Sequence, residues 1–393
     1  MPLFTNTQVD SGAPWVVRTA LLIAGTVPRR LDWALVAAVA VLSIVSTLLV
    51  WSATAGGADP STATEFLRRH LLHLCIGAVA CLTVAAIDYR APRAYAPILY
   101  TAGMVGLALV LTPLGSVVNG SRSWLEIGVF QAQPGEVAKI ALILAVAMLL
   151  GEPNDGEHAP TSRDVLFSLA ALAVPMGLIL AQPDLGTAMV FAVVYLGMLT
   201  LSGAPLRWGV GVVLSGVAAI AAVLWLGLLE DYQIQRFTSF ADPSADPRGA
   251  GYNANQALIA IGSGGFNGTG LFQGEQTSGE FVPEQHTDFI FTVAGEELGF
   301  LGSAAIIALI GFVIWRILRV AASCPHPYGR LVCAGVAAWF AFQSFVNIGM
   351  TLGLMPITGL PLPLLSYGGT ATIAQLTAIG LVLAIQGRAH SFD

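Results

Sequence analysis

The sequence has few charged side chains, and this scarcity decides which class of protein it encodes. Asp, Glu, Lys and Arg make up 10% of the 393 residues, whereas a soluble domain carries roughly a quarter. Hydrophobic residues reach 55%, and the mean hydropathy is +0.76. Because so few polar side chains cannot cover a water-facing surface of this size, we expect the apolar residues to be buried in lipid.

Basic tracts and patterned cysteines are absent as well. The net charge is −6, only one of the 17 basic residues is a lysine, and no run of basic residues is present. The four cysteines have neither the spacing of a disulfide framework nor that of a metal site. We therefore expect no nucleic-acid partner, and we assign the cysteines to packing.

Apolar runs divide most of the chain into about ten segments that are long enough, or nearly so, to cross a bilayer. A spanning helix needs about 20 mainly apolar residues. The segments are 31–53, 70–87, 94–114, 136–151, 164–181, 185–202, 207–229, 288–319, 331–355 and 366–386. The sequence thus predicts an all-α polytopic membrane protein. Its single transmembrane domain, 31–387, follows an N-terminal segment, 1–30, and precedes a tail, 388–393.

The arginines indicate how these segments are oriented. With the N-terminus in the cytoplasm, eleven of the sixteen arginines lie on the cytoplasmic side and five outside, which agrees with the positive-inside rule. Both termini are then cytoplasmic. This orientation exposes three outer segments of interest, namely 117–133, 230–287 and 356–365.

The outer connection 230–287, between the seventh and eighth spans, is far longer than an ordinary loop. Its many aromatic residues argue against disorder, and residues 255–261 are predicted to form a short amphipathic helix. It also contains glycine-rich runs, chiefly 262–270. Such runs permit positive φ and close backbone approach, and successive N–H groups can also form an anion-binding nest.

Two polar motifs stand at the outer ends of apolar runs. Lys139 lies one turn after Glu136, in a helix that Pro134 is suited to start. One interpretation is structural: Glu136 complements the helix N-terminus while Lys139 reaches the surface or pairs with it. The other is functional, because charges at membrane depth are costly and a cation on this side could meet a phosphate. Asp184 is similarly open to two interpretations, as a helix cap or as a site residue.

The eighth span begins with the densest group of polar residues. Asp288 directly precedes an apolar run, and Glu296 and Glu297 follow about two turns later. A continuous helix over 288–319 would be about 48 Å long, which exceeds the ~30 Å hydrocarbon core. We therefore expect these carboxylates to line a polar cleft. The alternatives are that Asp288 is a helix N-cap and that His286 is a hydrogen-bonded loop residue.

The order of these motifs resembles that of a known family. The first blocks are Asn119-Gly120-Ser121-Arg122-Ser123-Trp124, Gln133-Pro134-Gly135-Glu136-Val137-Ala138-Lys139 and Gln182-Pro183-Asp184-Leu185-Gly186. Later ones are Tyr232-Gln233, Arg236, Asp246-Pro247, Pro283-Glu284-Gln285-His286-Thr287-Asp288-Phe289, Asn347-Ile348-Gly349-Met350 and Ser366-Tyr367-Gly368-Gly369. From about residue 119 to 387 the chain resembles the SEDS proteins of bacterial shape, elongation, division and sporulation. It is more similar to the RodA-like than to the FtsW-like branch. Gly135 and Asn253 depart from the residues usual in the family.

The resemblance implies a peptidoglycan glycosyltransferase. Such enzymes polymerise lipid II, a disaccharide-pentapeptide on undecaprenyl diphosphate, at the outer face of the bacterial cytoplasmic membrane. The usual partner is a class B penicillin-binding protein. The family's essential aspartate corresponds to Asp288, which we expect to act as the general base on the acceptor hydroxyl.

The rest of the predicted substrate site follows from the leaving group. A diphosphate needs cationic or N–H donors as its charge develops, and the candidates on the outer side are Lys139, Arg122 and Arg236. A divalent cation such as Mg²⁺ or Mn²⁺ would suit carboxylate and phosphate together. The predicted substrate-binding residues are Lys139, Glu136, Arg122, Trp124, Arg236, Asp184, His286 and Ser366.

Three alternative functions remain open at this stage. A lipid II flippase or transporter would also use intramembrane charges and broken helices, although no inverted repeat is evident and the polar residues cluster at one face. A non-catalytic scaffold for the penicillin-binding protein and an FtsW-like division polymerase are the others. Glycan strands made from lipid II by purified protein would identify an enzyme, whereas flipping in vesicles alone would identify a transporter.

Overall fold

The computed structural model describes residues 31–56, 60–87, 90–118, 121–127, 130–151, 159–227, 234, 238–240 and 249–389. The predicted N-terminal segment, Arg236 and residues 241–248 of the long outer connection lie outside the described residues. Helices dominate what is described, and we number the elements in chain order. They are α1 (Trp33–Ala55), α2 (Pro60–Ala86), α3 (Arg90–Ala94), α4 (Ala96–Val110), β1 (Gly115–Val118), β2 (Ser121–Ile127), β3 (Phe130–Ala132), α5 (Pro134–Leu150), α6 (Ser162–Leu180), α7 (Leu185–Leu201), α8 (Leu206–Leu226), α9 (Ala250–Ser263), α10 (Glu275–Ser278), α11 (Ile290–Glu297), α12 (Gly299–Ser323), α13 (Pro327–Thr351) and α14 (Gly369–Ala389).

The fold confirms a mostly helical, multi-pass membrane protein. Within the described ranges, seven helices are long and apolar enough to cross a bilayer, namely α1, α2, α6, α8, α12, α13 and α14. The apolar helices α4 and α7 are shorter, and α5 has 17 residues. Each predicted span overlaps a described helix, but the count of ten and the cytoplasmic location of both termini stay predictions. The last helix continues to Ala389, two residues into the predicted tail.

Helices α13 and α14 form the interior of the bundle. Both are largely buried, α13 packs against α5, α7 and α12, and α14 packs against α2. By contrast, no residue of α8 is buried against the part of the chain that the structure describes. Its length and apolar composition suit it to face lipid.

A small antiparallel sheet, which the helical pattern did not predict, lies at one end of the bundle. Strand β2 pairs with β1 on one side and with β3 on the other. Two contacts fix the sheet on the helix ends: Ser121 Oγ donates to Gln182 O at 2.8 Å, and Gln133 N donates to Thr370 Oγ1 at 3.1 Å. The segments before α5, α7 and α14 therefore meet at this end, which we call the sheet end.

The predicted continuous helix over 288–319 is wrong, because the segment is broken into α11 and α12. Helix α12 starts at Gly299, whose φ is +64°, a value that favours glycine. Backbone groups freed at the break bond to residues 265–270 of the long connection. Thr269 N and Gly270 N donate to the carbonyls of Glu296 and Glu297, each at 3.0 Å. Since every freed group in a membrane interior needs a partner, the connection stabilises the break.

Close backbone approach accounts for two glycines of this connection, Gly264 and Gly268. A Cβ at Gly264 would lie 2.0 Å from Gly295 O, and one at Gly268 would lie 2.1 Å from Glu297 O. Any larger residue would therefore push the connection away from the break. The amphipathic helix predicted at 255–261 is confirmed and extends over α9.

Candidate active site

Asp288 lies in the turn that precedes α11, at the sheet end. Its backbone N–H donates to Glu284 O at 3.1 Å, and its carbonyl accepts from Asn347 Nδ2 at 2.7 Å. The side chain is half-buried. Helix α11 begins at Ile290 with Phe289 as its cap residue, so the alternative that Asp288 caps this helix is wrong.

The loop between α13 and α14 faces the Asp288 carboxylate. Gly359 has a φ of +73°, and a Cβ placed on it would lie 3.4 Å from Asp288 Oδ2. The same loop packs on the first turn of α7, where a Cβ on Gly186 would lie 2.9 Å from Thr358 O. We call residues 356–365 the facing loop. It joins the surroundings of Asp288 to the start of α7.

Asp184 caps that first turn, which confirms the capping interpretation. Its carboxylate accepts from Thr187 N at 3.0 Å. Capping leaves one carboxylate oxygen for other contacts, so a role of Asp184 in substrate binding stays a prediction.

Lys139 and Glu136 form an ion pair inside the bundle. Their side chains are 1% and 2% exposed, and Lys139 Nζ lies 2.7 Å from Glu136 Oε1. Lys139 Nζ also donates to Gln343 Oε1 at 3.0 Å and lies 4.9 Å from the centre of the Trp339 ring. The pairing interpretation is thus confirmed, and the alternative that Lys139 reaches the surface is wrong. Contact with a phosphate stays a prediction, and it would require access to an ammonium that is buried in this structure.

The buried amides of Gln343 and Asn347, one turn apart on α13, were not assigned a role from the sequence. Gln343 Nε2 donates to Pro361 O, and Asn347 Nδ2 donates to Leu360 O, each at 2.7 Å. Both side chains are 0% exposed. The available signal was a pair of polar amides four residues apart in an apolar helix, which places them on one helix face.

His286 packs among aromatic side chains. Its ring meets Phe66 edge-on with the ring centres 4.8 Å apart, and its carbonyl accepts from Tyr367 N at 2.9 Å. Burial lowers the pKa of His286 and outweighs the opposite effects of Glu284 and Glu280. The imidazole is therefore neutral near pH 7. The alternative that His286 is a hydrogen-bonded loop residue is confirmed, since its backbone carbonyl is hydrogen-bonded. Contact of His286 with the substrate stays a prediction.

Ser366 is buried directly after the facing loop. Its hydroxyl accepts from Leu362 N at 2.7 Å, and its own N–H donates to Leu362 O at 3.0 Å. These bonds close a turn of the loop. The geometry accounts for Ser366 as a loop-stabilising residue, and its contact with substrate stays a prediction.

Arg122 and Trp124 belong to strand β2. Arg122 is exposed and Trp124 is half-buried, so the guanidinium is accessible to an anion at the sheet end. Arg236, the third predicted cation, lies outside the described residues. The described residues contain no group of three or more His, Cys, Asp or Glu side chains that could hold a metal ion.

A family model for cell cycle proteins, named for FtsW, RodA and SpoVE, matches residues 29–391, nearly the whole chain. The chain belongs to the FtsW/RodA/SpoVE family. This is the SEDS family that the motifs predicted. Within the family, the chain is 40% identical over 347 residues to peptidoglycan glycosyltransferase MrdB of Escherichia coli K12, covering 88% of this chain and 90% of that protein. It is 36% identical over 357 residues to stage V sporulation protein E of Bacillus subtilis, covering 90% and 96%.

Solved structures of FtsW/RodA/SpoVE proteins have the same fold. A chain from a peptidoglycan synthase complex, described as coordinating polymerization and crosslinking, matches with a TM-score of 0.77 at 31% identity. The match covers 92% of this chain and 99% of that one. The rod shape determining protein RodA of Thermus thermophilus matches with a TM-score of 0.68 at 31% identity, over 92% of this chain and 98% of that one. These likenesses confirm the RodA-like interpretation.

Proposed function

We propose that this chain polymerises lipid II into glycan strands at the outer face of the bacterial cytoplasmic membrane, for cell elongation and shape. The chain is a peptidoglycan glycosyltransferase, in keeping with the name of the Escherichia coli relative. The observation that best supports the proposed site is the position of Asp288. A half-buried carboxylate faces an irregular loop at the sheet end, where the predicted cation Arg122 is exposed.

The reaction requires a base, because a sugar hydroxyl is a poor nucleophile. Asp288 accepts the proton of the acceptor hydroxyl while that oxygen bonds to the anomeric carbon of the donor sugar. The bond from that carbon to the diphosphate oxygen breaks, and its electron pair leaves with the lipid diphosphate. Partial burial of Asp288 reduces the contact of its carboxylate with bulk water, and Asn347 fixes the backbone that carries it.

The leaving diphosphate needs positive charge on the same side. Arg122 supplies an exposed guanidinium on the sheet, and Arg236 is the second proposed donor. We propose Trp124, His286 and Asp184 as contacts to the sugars or the phosphates. No three-ligand protein site for a metal is present among the described residues. A Mg²⁺ or Mn²⁺ ion stays a prediction, and no step above is routed through one.

A class B penicillin-binding protein is the partner we propose. The support is the likeness, at a TM-score of 0.77, to a chain of a peptidoglycan synthase complex that couples polymerization to crosslinking. A transpeptidase beside the site would receive each strand as it is made.

The test of the base is Asp288→Asn, assayed for glycan strands with purified lipid II and the penicillin-binding partner. Loss of a general base lowers the rate by about 10²–10⁴-fold, so we expect kcat to fall within that range. The matched control is Glu284→Gln, the same type of change at an exposed carboxylate four residues earlier, and it should retain most of the rate. Normal polymerisation by folded, partner-bound Asp288→Asn would refute the assignment. Flipping of lipid II in vesicles without strand formation would favour the transporter.

A further inference from the structure

The facing loop lacks regular structure between two buried helices, and side chains from three helices satisfy its backbone. Ser46 of α1 donates to Leu365 O at 2.6 Å, and Gln375 of α14 accepts from Leu364 N at 2.8 Å. Gln343 and Asn347 of α13 hold the other half, at Pro361 and Leu360. Irregular backbone at membrane depth is tolerated only with such partners. The position of the loop is therefore set by these few amides and hydroxyls.

Asn347 differs from the other partners because it connects the loop to the proposed site. Asn347 Nδ2 donates both to Leu360 O and to Asp288 O, each at 2.7 Å. One side chain thus spans the loop and the segment that carries the base. Gly359, directly before Leu360, faces the Asp288 carboxylate. A shift of Leu360 would change the space between the loop and that carboxylate.

Gln343 connects the same loop to the buried ion pair. Its Oε1 accepts from Lys139 Nζ at 3.0 Å and from Trp339 Nε1 at 2.7 Å. With both donors on the oxygen, the amide nitrogen is directed to Pro361 O. Lys139 therefore helps to determine which end of the Gln343 amide points at the loop, although the two residues are 204 positions apart in sequence. Lys139 itself is held by Glu136.

We propose that Gln343 and Asn347 are positioning residues, which hold the facing loop against Asp288, and that the Glu136–Lys139 pair acts on the reaction through Gln343. This inference rests on the proposed function, because the reaction it concerns is lipid II polymerisation. It differs from direct phosphate binding by Lys139, since the ammonium would affect the reaction without touching the substrate.

The decisive variant is Gln343→Glu. A glutamate retains oxygen acceptors for Lys139 and Trp339 but has no donor for Pro361 O. A misplacement of about 1 Å at a reacting group costs on the order of 10²-fold in rate. We therefore expect kcat for lipid II polymerisation to fall about 10²-fold while KM changes little. Gln343→Leu should behave the same way. A rate within twofold of wild type for Gln343→Glu would overturn the proposal.

Coupling between Lys139 and Gln343 separates the proposal from direct phosphate contact. If both act through the loop, Lys139→Met combined with Gln343→Leu should lower kcat no further than the stronger single variant. If Lys139 binds the phosphate independently, the two losses should multiply and KM should rise, and this result would overturn the proposal.

The control for general destabilisation is Ser168→Ala. Ser168 is buried on α6 and bonds to Val165 O and to the Tyr195 hydroxyl, so the variant loses buried hydrogen bonds outside the facing loop. It should lower the unfolding temperature and leave kcat unchanged. Every variant is measured as full chain with its penicillin-binding partner and purified lipid II. If the wild type makes no strands, the proposed function fails. If the wild type is active and Gln343→Glu is equally active, only this inference fails.

Discussion

Glu296 should contribute strongly to the stability of the long outer connection. Its side chain is 0% exposed. One carboxylate oxygen accepts from Gln276 N at 2.8 Å, and the other accepts from Thr277 N at 2.8 Å and from the Thr277 hydroxyl at 2.7 Å. The adjoining segment is tied to the rest of the bundle by Gln285, whose amide donates to Thr277 O and to Ala53 O. Three bonds to one carboxylate thus hold the connection that leads to Asp288.

The magnitude follows from these three bonds. A hydrogen bond to a charged group contributes about 1.5–3 kcal/mol, so Thr277→Val, which removes one donor, should cost about that much. Glu296→Ala also leaves two backbone N–H groups without their partner, at about 1–3 kcal/mol each. Glu296→Gln places an NH₂ group against at least one donor, and its cost should lie between those two variants.

Thermal unfolding of the purified protein in detergent measures the order of the three variants. We expect the unfolding temperature to fall from wild type through Thr277→Val and Glu296→Gln to Glu296→Ala. Limited proteolysis should cut residues 264–288 faster in the same order, since local opening exposes that connection. Wild-type unfolding and cleavage in Glu296→Gln would refute the reasoning, because the carboxylate would then be dispensable.

Three further predictions test the break, the facing loop and the aromatic surroundings of the site. Gly299→Ala should lower the expression and the unfolding temperature, because a Cβ there would lie 2.2 Å from Gly268 N at a φ of +64°. The control Gly311→Ala, whose Cβ would have no atom within 4 Å, should lower neither. Gly359→Ala should lower both the unfolding temperature and kcat, because alanine is strained at a φ of +73° and its methyl group would contact Asp288 Oδ2 at 3.4 Å. A normal polymerisation rate would contradict the loop's place in the site. Burial lowers the pKa of His286, so the unfolded chain takes up its proton first and stability should decline as pH falls below about 6.5. Unfolding temperatures of wild type and His286→Phe between pH 7.5 and 5 should show a smaller decline in the variant.

Much of the architecture could be predicted from local sequence. Scarce charge and apolar runs of about 20 residues require lipid as the solvent whatever the tertiary structure. Likewise, Pro134 at the first position of α5 and Asp184 before α7 determine helix starts by local backbone chemistry. The ordered motifs were enough to identify the family and to select Asp288.

Contacts between distant segments decided the rest. The apolar pattern continues across Gly299, so the sequence predicts an unbroken helix. The break exists because residues 265–270 supply its backbone partners. From the sequence alone, Lys139 could bind a phosphate, reach the surface or form an ion pair. Only the tertiary structure places Gln343 and Trp339 around its ammonium. Hydrogen bonds and close approaches of this kind have no local signature, because each depends on a partner that folding brings from far along the chain.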